Sequence, residues 1–303
     1  MKVVRTSSKA DTVPEYLKLY REHNTGRKKT ARLNGSFYRQ FFWNHQEEEN
    51  TTTSTIRTLR TDVIEVHLIR HGQTQSYAAN GGLTSLGALQ ARQRGWRISR
   101  EVKKGESVVV VAAGTKRALR TADFLLCGLK DGLAALEKYV RITGPTVEKE
   151  LQNFLVSLPV GMKDPTIARR YCMSNDKQRD KEGAPLWLEE VIRFWSRQES
   201  GKDPIEYWMS FPLSHFEAPG AVVRRYWAGL LRIAREQEYA TRIICAVHSG
   251  PMRAFAAAAL GCDLGEPNNT EEVRVQLKRD LSGAVVFYRR QARKVAVPKF
   301  EGF

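Results

Sequence analysis

No stretch of this sequence approaches the roughly 20 consecutive apolar residues that a membrane-spanning helix needs. Its most apolar segments, Val108–Ala113 and Ala254–Leu260, have the lengths of a buried strand and a buried helix. Met1–Asp11 is charged and lacks the apolar core of a secretory signal, so secretion is not expected. Cysteine is scarce: Cys127, Cys172, Cys245 and Cys262 are scattered, with no C-x-x-C spacing. That pattern excludes a zinc signature and a disulfide framework, and it suits a reducing, cytoplasmic compartment. Internal repeats are missing too.

Positive charge is in excess. Among 303 residues, 49 Lys and Arg face 33 Asp and Glu, a formal charge of +16. Such a balance suits nucleic acid, an anionic membrane or phosphorylated small molecules. Its distribution narrows the choice: residues 1–62 carry +5, residues 274–303 carry +6, and the 211 residues between them only +5. No aromatic–basic signature of an RNA-binding module is visible, so nucleic acid is not expected as a partner, although the basic ends leave a polyanion contact open. A membrane partner is not expected either.

Residues 1–62 are polar and basic and contain the linker-like Thr51–Thr55, so they read as an N-terminal extension. From Val63 onward, apolar runs of strand length alternate with helical patterns. Strands are expected over Val63–Ile69, Ser107–Ala112, Thr146–Leu151, Ile243–Val247, Val273–Leu277 and Gly283–Tyr288. Helices are expected from Thr84 to about Ile98 and over Lys116–Leu126, Ala221–Glu238 and Pro251–Leu260. This alternation predicts an α/β fold for residues 63–303: a three-layer, open, mostly parallel sheet with helices on both faces. Residues 155–220, rich in Pro and Trp, interrupt it and read as a helical or irregular cap.

Four segments carry chemistry. Leu68-Ile69-Arg70-His71-Gly72-Gln73-Thr74 sets Arg and His at the C-terminal end of the first strand, where α/β sheets bind ligands. A neutral imidazole there can attack phosphorus, and an adjacent guanidinium can neutralise phosphoryl oxygens. Gly72 would let the backbone approach an anion. Leu83-Thr84-Ser85-Leu86-Gly87-Ala88-Leu89-Gln90-Ala91 is a capped helix start. Gly114-Thr115-Lys116-Arg117-Ala118-Leu119-Arg120-Thr121-Ala122 opens the next helix, whose free N–H groups and dipole favour an anion beside Arg117. His248-Ser249-Gly250-Pro251 ends a buried strand and begins a helix. Taken singly, each also fits a bland reading: a hydrogen-bonded strand-end histidine, or a solvated basic helix start. His67 reads as a core histidine, and Arg253 as a substrate contact or an external ion pair.

Together, in this order, the four segments resemble the first branch of the histidine phosphatase, or phosphoglycerate mutase-like, superfamily, over about residues 63–290. That resemblance implies a metal-independent phosphomonoesterase, without a cofactor, acting on a small phosphorylated metabolite. His71 would form a phosphohistidine, and Arg70, Arg117 and His248 would surround the phosphoryl group. Gly72, Gln73, Thr74, Ser249 and Gly250 would hold phosphate or substrate. The general acid would follow the third strand. Glu150 is the first candidate and Glu148 the second, while the strict L-x-E register of the family falls on Asn153. Tyr77 stands where relatives carry a phosphate-contacting Asn, with Asn80 nearby. Alternatives are mutase-type phosphotransfer, disfavoured by the lack of L-N-E-R-x-x-G, and a non-catalytic phospholigand-binding module.

Overall fold

The computed structural model describes residues 62–75, 81–174, 184–236 and 241–300. The extension read over 1–62 therefore lies outside the described residues apart from Asp62, as do Tyr77 and Asn80.

Four parallel strands form one side of a seven-stranded sheet, with β3 at its edge: β1 (Val63–Arg70), β2 (Ser107–Ala112), β3 (Arg141–Val147) and β6 (Arg242–Val247), in the order β3-β2-β6-β1. Three antiparallel strands continue from β1: β7 (Glu272–Lys278), β8 (Gly283–Tyr288) and β9 (Gln291–Ala296). The central strands are apolar on both faces because helices cover both. Ile69, Val108, Val110, Ala112, Ile244 and Ala246 face α1 (Ser85–Glu101) and α2 (Lys116–Ala135). Val66, Leu68, Val109, Val111, Ile243 and Cys245 face α6 (Pro219–Glu236) and α7 (Ser249–Leu260).

Between β3 and α6 lies the expected cap. It comprises a small hairpin of β4 (Val156–Leu158) and β5 (Gly161–Lys163), then α3 (Pro165–Ser174), α4 (Leu186–Glu199) and α5 (Pro204–Ser210). Its aromatic residues close a core of their own: Phe154 stacks on Trp208 with ring centroids 4.3 Å apart, and Phe194 and Phe216 pack beside them. The cap core joins that of the α6–α7 face, which makes it part of the folded body rather than a loose appendage. No helix among the described residues is long and apolar enough to cross a membrane.

Several boundaries differ from expectation. α2 runs nine residues past Leu126, through Gly128 and Gly132, because those glycines are contact points with α1 rather than helix ends. A Cβ on Gly128 would stand 1.9 Å from the Arg92 carbonyl oxygen. The strand expected over Thr146–Leu151 instead ends at Val147, where the Glu148 side chain accepts from the Glu150 N–H and starts a single 3₁₀ turn, Lys149–Leu151. β9 was not expected. As an exposed edge strand containing Arg293 and Lys294, it lacks the apolar alternation that marks a buried face.

Candidate active site

Parallel pairing of β1 with β6 sets Arg70 opposite Val247, so the next residues of the two strands, His71 and His248, emerge side by side. Their rings meet edge-on with centroids 5.3 Å apart. The His71 N–H donates to the Val247 carbonyl, and the Asn269 amide donates to the His71 carbonyl, which fixes the backbone from both sides. The side chain is fixed as well: Nδ1–H donates to the Gly72 carbonyl at 2.9 Å. This tautomer leaves the lone pair on Nε2. Burial first, then Arg117 and Arg70, lower the His71 pKa from 6.5 to about 3, so the ring is neutral at physiological pH.

His248 is buried and caps the start of α7. Its Nε2 lies 3.1 Å from Thr115 Oγ1, and its Nδ1 has no hydrogen-bond partner among the described residues. Burial, followed by Arg117 and His71, pushes its pKa well below the usual histidine value. Thr115 is the N-cap of α2 and also accepts from the Ala118 N–H. One helix start thus steadies His248 and presents Arg117, which is 8% exposed. Arg117 reaches Asp164 of the cap at 3.4 Å. Arg70 pairs with Glu266 at 3.0 Å and donates to the Pro267 carbonyl, while its buried Nε has no hydrogen-bond partner among the described residues. Two guanidiniums and two neutral imidazoles therefore line one cavity of about 610 Å³, within the usual range for a small-molecule site.

The L-T-x-x-G-x-x-Q segment is the mount for this arrangement. The Thr84 N–H donates to the Gln73 carbonyl, Thr84 Oγ1 bonds Gln73 Oε1, and Gln90 Oε1 accepts from the Gln73 N–H. Gly87 completes it, since a Cβ there would stand 2.1 Å from the Gln73 carbonyl oxygen. Gly72 is corrected by the same geometry. It does not line the cavity; a Cβ on it would lie 2.4 Å from the Gly87 oxygen, and its N–H donates to Thr121 Oγ1. Close packing against α1 requires the glycine, and its N–H is not free for an anion. Gln73, Thr74, Ser249 and Gly250 do line the cavity. α7 begins at Ser249, two residues earlier than expected, which places Ser249 and Gly250 in its first turn.

Glu150 and Glu148 lie elsewhere. Neither lines the cavity: both turn to Arg232 on α6, Glu150 at 3.5 Å. Burial raises the Glu148 carboxyl above its ordinary range, and the hydrogen bond from Glu148 lowers that of Glu150. Glu150 is thus held as an anion, the wrong state for a proton donor. Asn153 lines the cavity instead, its amide donating to Asp164 at 3.0 Å. It is the position on which the strict L-x-E register falls, whereas Glu150, the first candidate, is not at the cavity.

Sequence reasoning also missed Asp203, Glu266 and Asn269, which line the cavity. Asp203 had a visible signal, an N-cap Asp before Pro204, and it accepts from the Ile205 and Glu206 N–H groups. Arg253 is no external ion pair. It is buried and clamped between Asp203 and Asp263. His67 is a satisfied core residue: Nδ1–H donates to Glu272, and Nε2 accepts from Arg242 at 2.7 Å. Among the described residues, no group of three or more His, Cys, Asp or Glu side chains is arranged to hold a metal ion.

No family model matches the sequence, and no curated protein does. Solved structures of histidine phosphatase and phosphoglycerate mutase type are similar to it. One is a mycobacterial glucosyl-3-phosphoglycerate phosphatase, with 15% identity and a TM-score of 0.41 over 71% of this chain and 90% of that one. Another is a candidate α-ribazole-5′-phosphate phosphatase from Escherichia coli, with 16% identity and a TM-score of 0.43 over 78% and 97%. A third is phosphoglycerate mutase from Bacillus anthracis, with 14% identity and a TM-score of 0.42 over 77% and 94%. Likeness at this level assigns neither reaction nor substrate, so the functional reading rests on the residues.

Proposed function

We propose that the chain is a phosphomonoesterase of the histidine phosphatase type, acting on a small phosphorylated molecule through a phosphohistidine on His71. One observation carries the proposal. The Nδ1–H of His71 is spent on the Gly72 carbonyl, which leaves a neutral Nε2 lone pair in a cavity lined by Arg70, Arg117 and His248. In the first step Nε2 bonds to phosphorus, and the ester P–O bond breaks with its electron pair on the leaving oxygen. In the second step water attacks the phosphohistidine, the P–N bond breaks, and inorganic phosphate and neutral His71 are restored. Arg70 and Arg117 oppose the charge on the equatorial phosphoryl oxygens, and the free N–H groups at the start of α7 add to them. Catalysis of this kind is mostly positioning and charge stabilisation.

Incubation of the purified protein with a panel of phosphate monoesters, with and without EDTA, tests the reading. Turnover that persists in EDTA and disappears in His71→Ala is the expected result. Acid-labile phosphate trapped on the wild type and absent from His71→Ala would mark the intermediate. Silence of the wild type across the panel refutes the proposal.

A further inference from the structure

The two ends of the cavity differ in chemistry. At the cationic end stand Arg70, His71, Arg117 and His248. Apolar contact begins directly beside it, at the first turn of α7: a Cβ placed on Gly250 would meet Phe154 Cε1 at 2.8 Å and Ile205 Cδ1 at 3.3 Å. From Phe154 a chain of rings runs into the cap. Phe194 meets Phe154 edge-on at 5.9 Å between centroids, and Trp195 meets Phe194 edge-on at 5.4 Å. The Arg169 guanidinium lies 4.8 Å from the Trp195 ring centroid and backs that ring. Pro165 and Pro204 line the same cavity. The polar side chains that the cap contributes are mostly committed within the protein. Asn153 donates to Asp164, Thr166 bonds Asp164, and Asp203 caps α5 and holds Arg253. Gln198, about one helical turn beyond Phe194 and Trp195, is the exception. A polyol or sugar needs several hydrogen-bond partners when it leaves water, and burying it unpaired is costly. This wall offers it few.

Proton supply points the same way. Among the described residues lining the cavity, the carboxylates are Asp203 and Glu266, and both are engaged by arginine. An aliphatic alkoxide departs well only when an acid protonates it. A phenol ionises at about pH 10, as tyrosine does, so its oxide leaves without such help.

We propose that the site takes aryl phosphate monoesters, with Phe154, Phe194 and Trp195 forming the wall for the ring; this rests on the phosphomonoesterase reading above. His71 Nε2 bonds to phosphorus, the aryl P–O bond breaks, and the pair leaves as an aryl oxide that takes its proton from solvent. The cavity, at about 610 Å³, has room for a ring beyond the phosphoryl group.

The test compares kcat/KM of the full chain for phenyl phosphate, cyclohexyl phosphate and glycerol phosphate. An order of phenyl above cyclohexyl above glycerol is expected, because cyclohexyl keeps the apolar contact and loses the good leaving group. The extremes should differ by at least about 100-fold. Trp195→Ala should raise KM for phenyl phosphate by about tenfold and for glycerol phosphate by several-fold less, while Trp195→Phe retains most of the preference. Thermal melts confirm that both variants fold, and if Trp195→Ala does not, Trp195→Phe together with Phe194→Leu reads the same wall. Free phosphotyrosine and a phosphotyrosyl peptide tell a small ester from a protein-borne one, and turnover of either supports the proposal. Glycerol phosphate at parity with phenyl phosphate, or an equal effect of Trp195→Ala on both, overturns it while leaving the phosphatase reading standing. No turnover of any ester, with no phosphate trapped on His71, overturns both.

Discussion

Acid should destabilise this protein through the two histidines that line its cavity, and the size of the effect follows from His71. Its pKa is about 3 in the folded chain and near 6.5 when unfolded. Between those values the unfolded chain binds a proton that the folded one refuses. Stability therefore rises with pH across that window and is lost as pH falls from 6.5 towards 3. At about 1.36 kcal/mol per unit, the full shift corresponds to about 4–5 kcal/mol, and the partial openness of the ring to the cavity cuts this to roughly 2–4 kcal/mol. His248 acts in the same direction, so the clean measurement is a difference. Urea midpoints at pH 7, 6, 5 and 4 are compared for the wild type and His71→Gln, which keeps a polar side chain but cannot titrate. The variant should lose less stability on acidification, and the gap between the two should change by roughly 2 kcal/mol by pH 4. Parallel curves would refute the reasoning that burial and Arg117 hold His71 neutral.

Other substitutions separate the parts of the site. Gly87→Ala sets a methyl group against the Gln73 carbonyl and should lower stability by about 1–3 kcal/mol, and kcat with it, read by melts and steady-state rates. Glu150→Gln should leave kcat/KM within a factor of about two, because Glu150 faces Arg232; a loss of about 100-fold would restore it as the acid. Arg117→Lys keeps the charge but loses the planar fork, and should lower kcat by about 100-fold with a smaller change in KM.

The legible part of the site is the part built from short-range constraints. Thr84, Gly87 and Gln90 recur at helical spacing because one helix turn must meet the backbone of Gln73, and that geometry is written in a few neighbouring letters. Strand ends were legible for a similar reason: Ile243–Val247 is apolar on every residue, so its end, and hence His248, is marked by the change of composition. Which residue after β3 meets the cavity was not legible. Glu148, Glu150 and Asn153 lie within six residues, and a single 3₁₀ turn decides which of them faces the cavity. Both glutamates are paired with Arg232, some 80 residues away in sequence. The cap was visible as an interruption, yet its contribution to the cavity depends on how α4 and α5 pack on Phe154, which no local pattern encodes.

The same contrast explains why the formal charge of +16 says little about the site. Each buried or half-buried arginine around the cavity has an acidic partner distant in sequence: Arg70 with Glu266, Arg117 with Asp164, Arg253 with Asp203 and Asp263. These carboxylates hold the guanidiniums in place before any ligand arrives, and a preorganised donor need not reorganise as charge develops in the transition state. They also compete with the ligand. A phosphoryl dianion entering beside Arg70 meets a guanidinium already shared with Glu266 and Pro267, and its gain is the difference between the two partners rather than a full ion pair. The buried Nε of Arg70 and Nδ1 of His248, both without a partner among the described residues, are the groups through which that difference can favour the phosphoryl group. On the phosphatase reading proposed above, affinity for phosphate rests on a few unsatisfied polar atoms held among neutralised charges rather than on net charge.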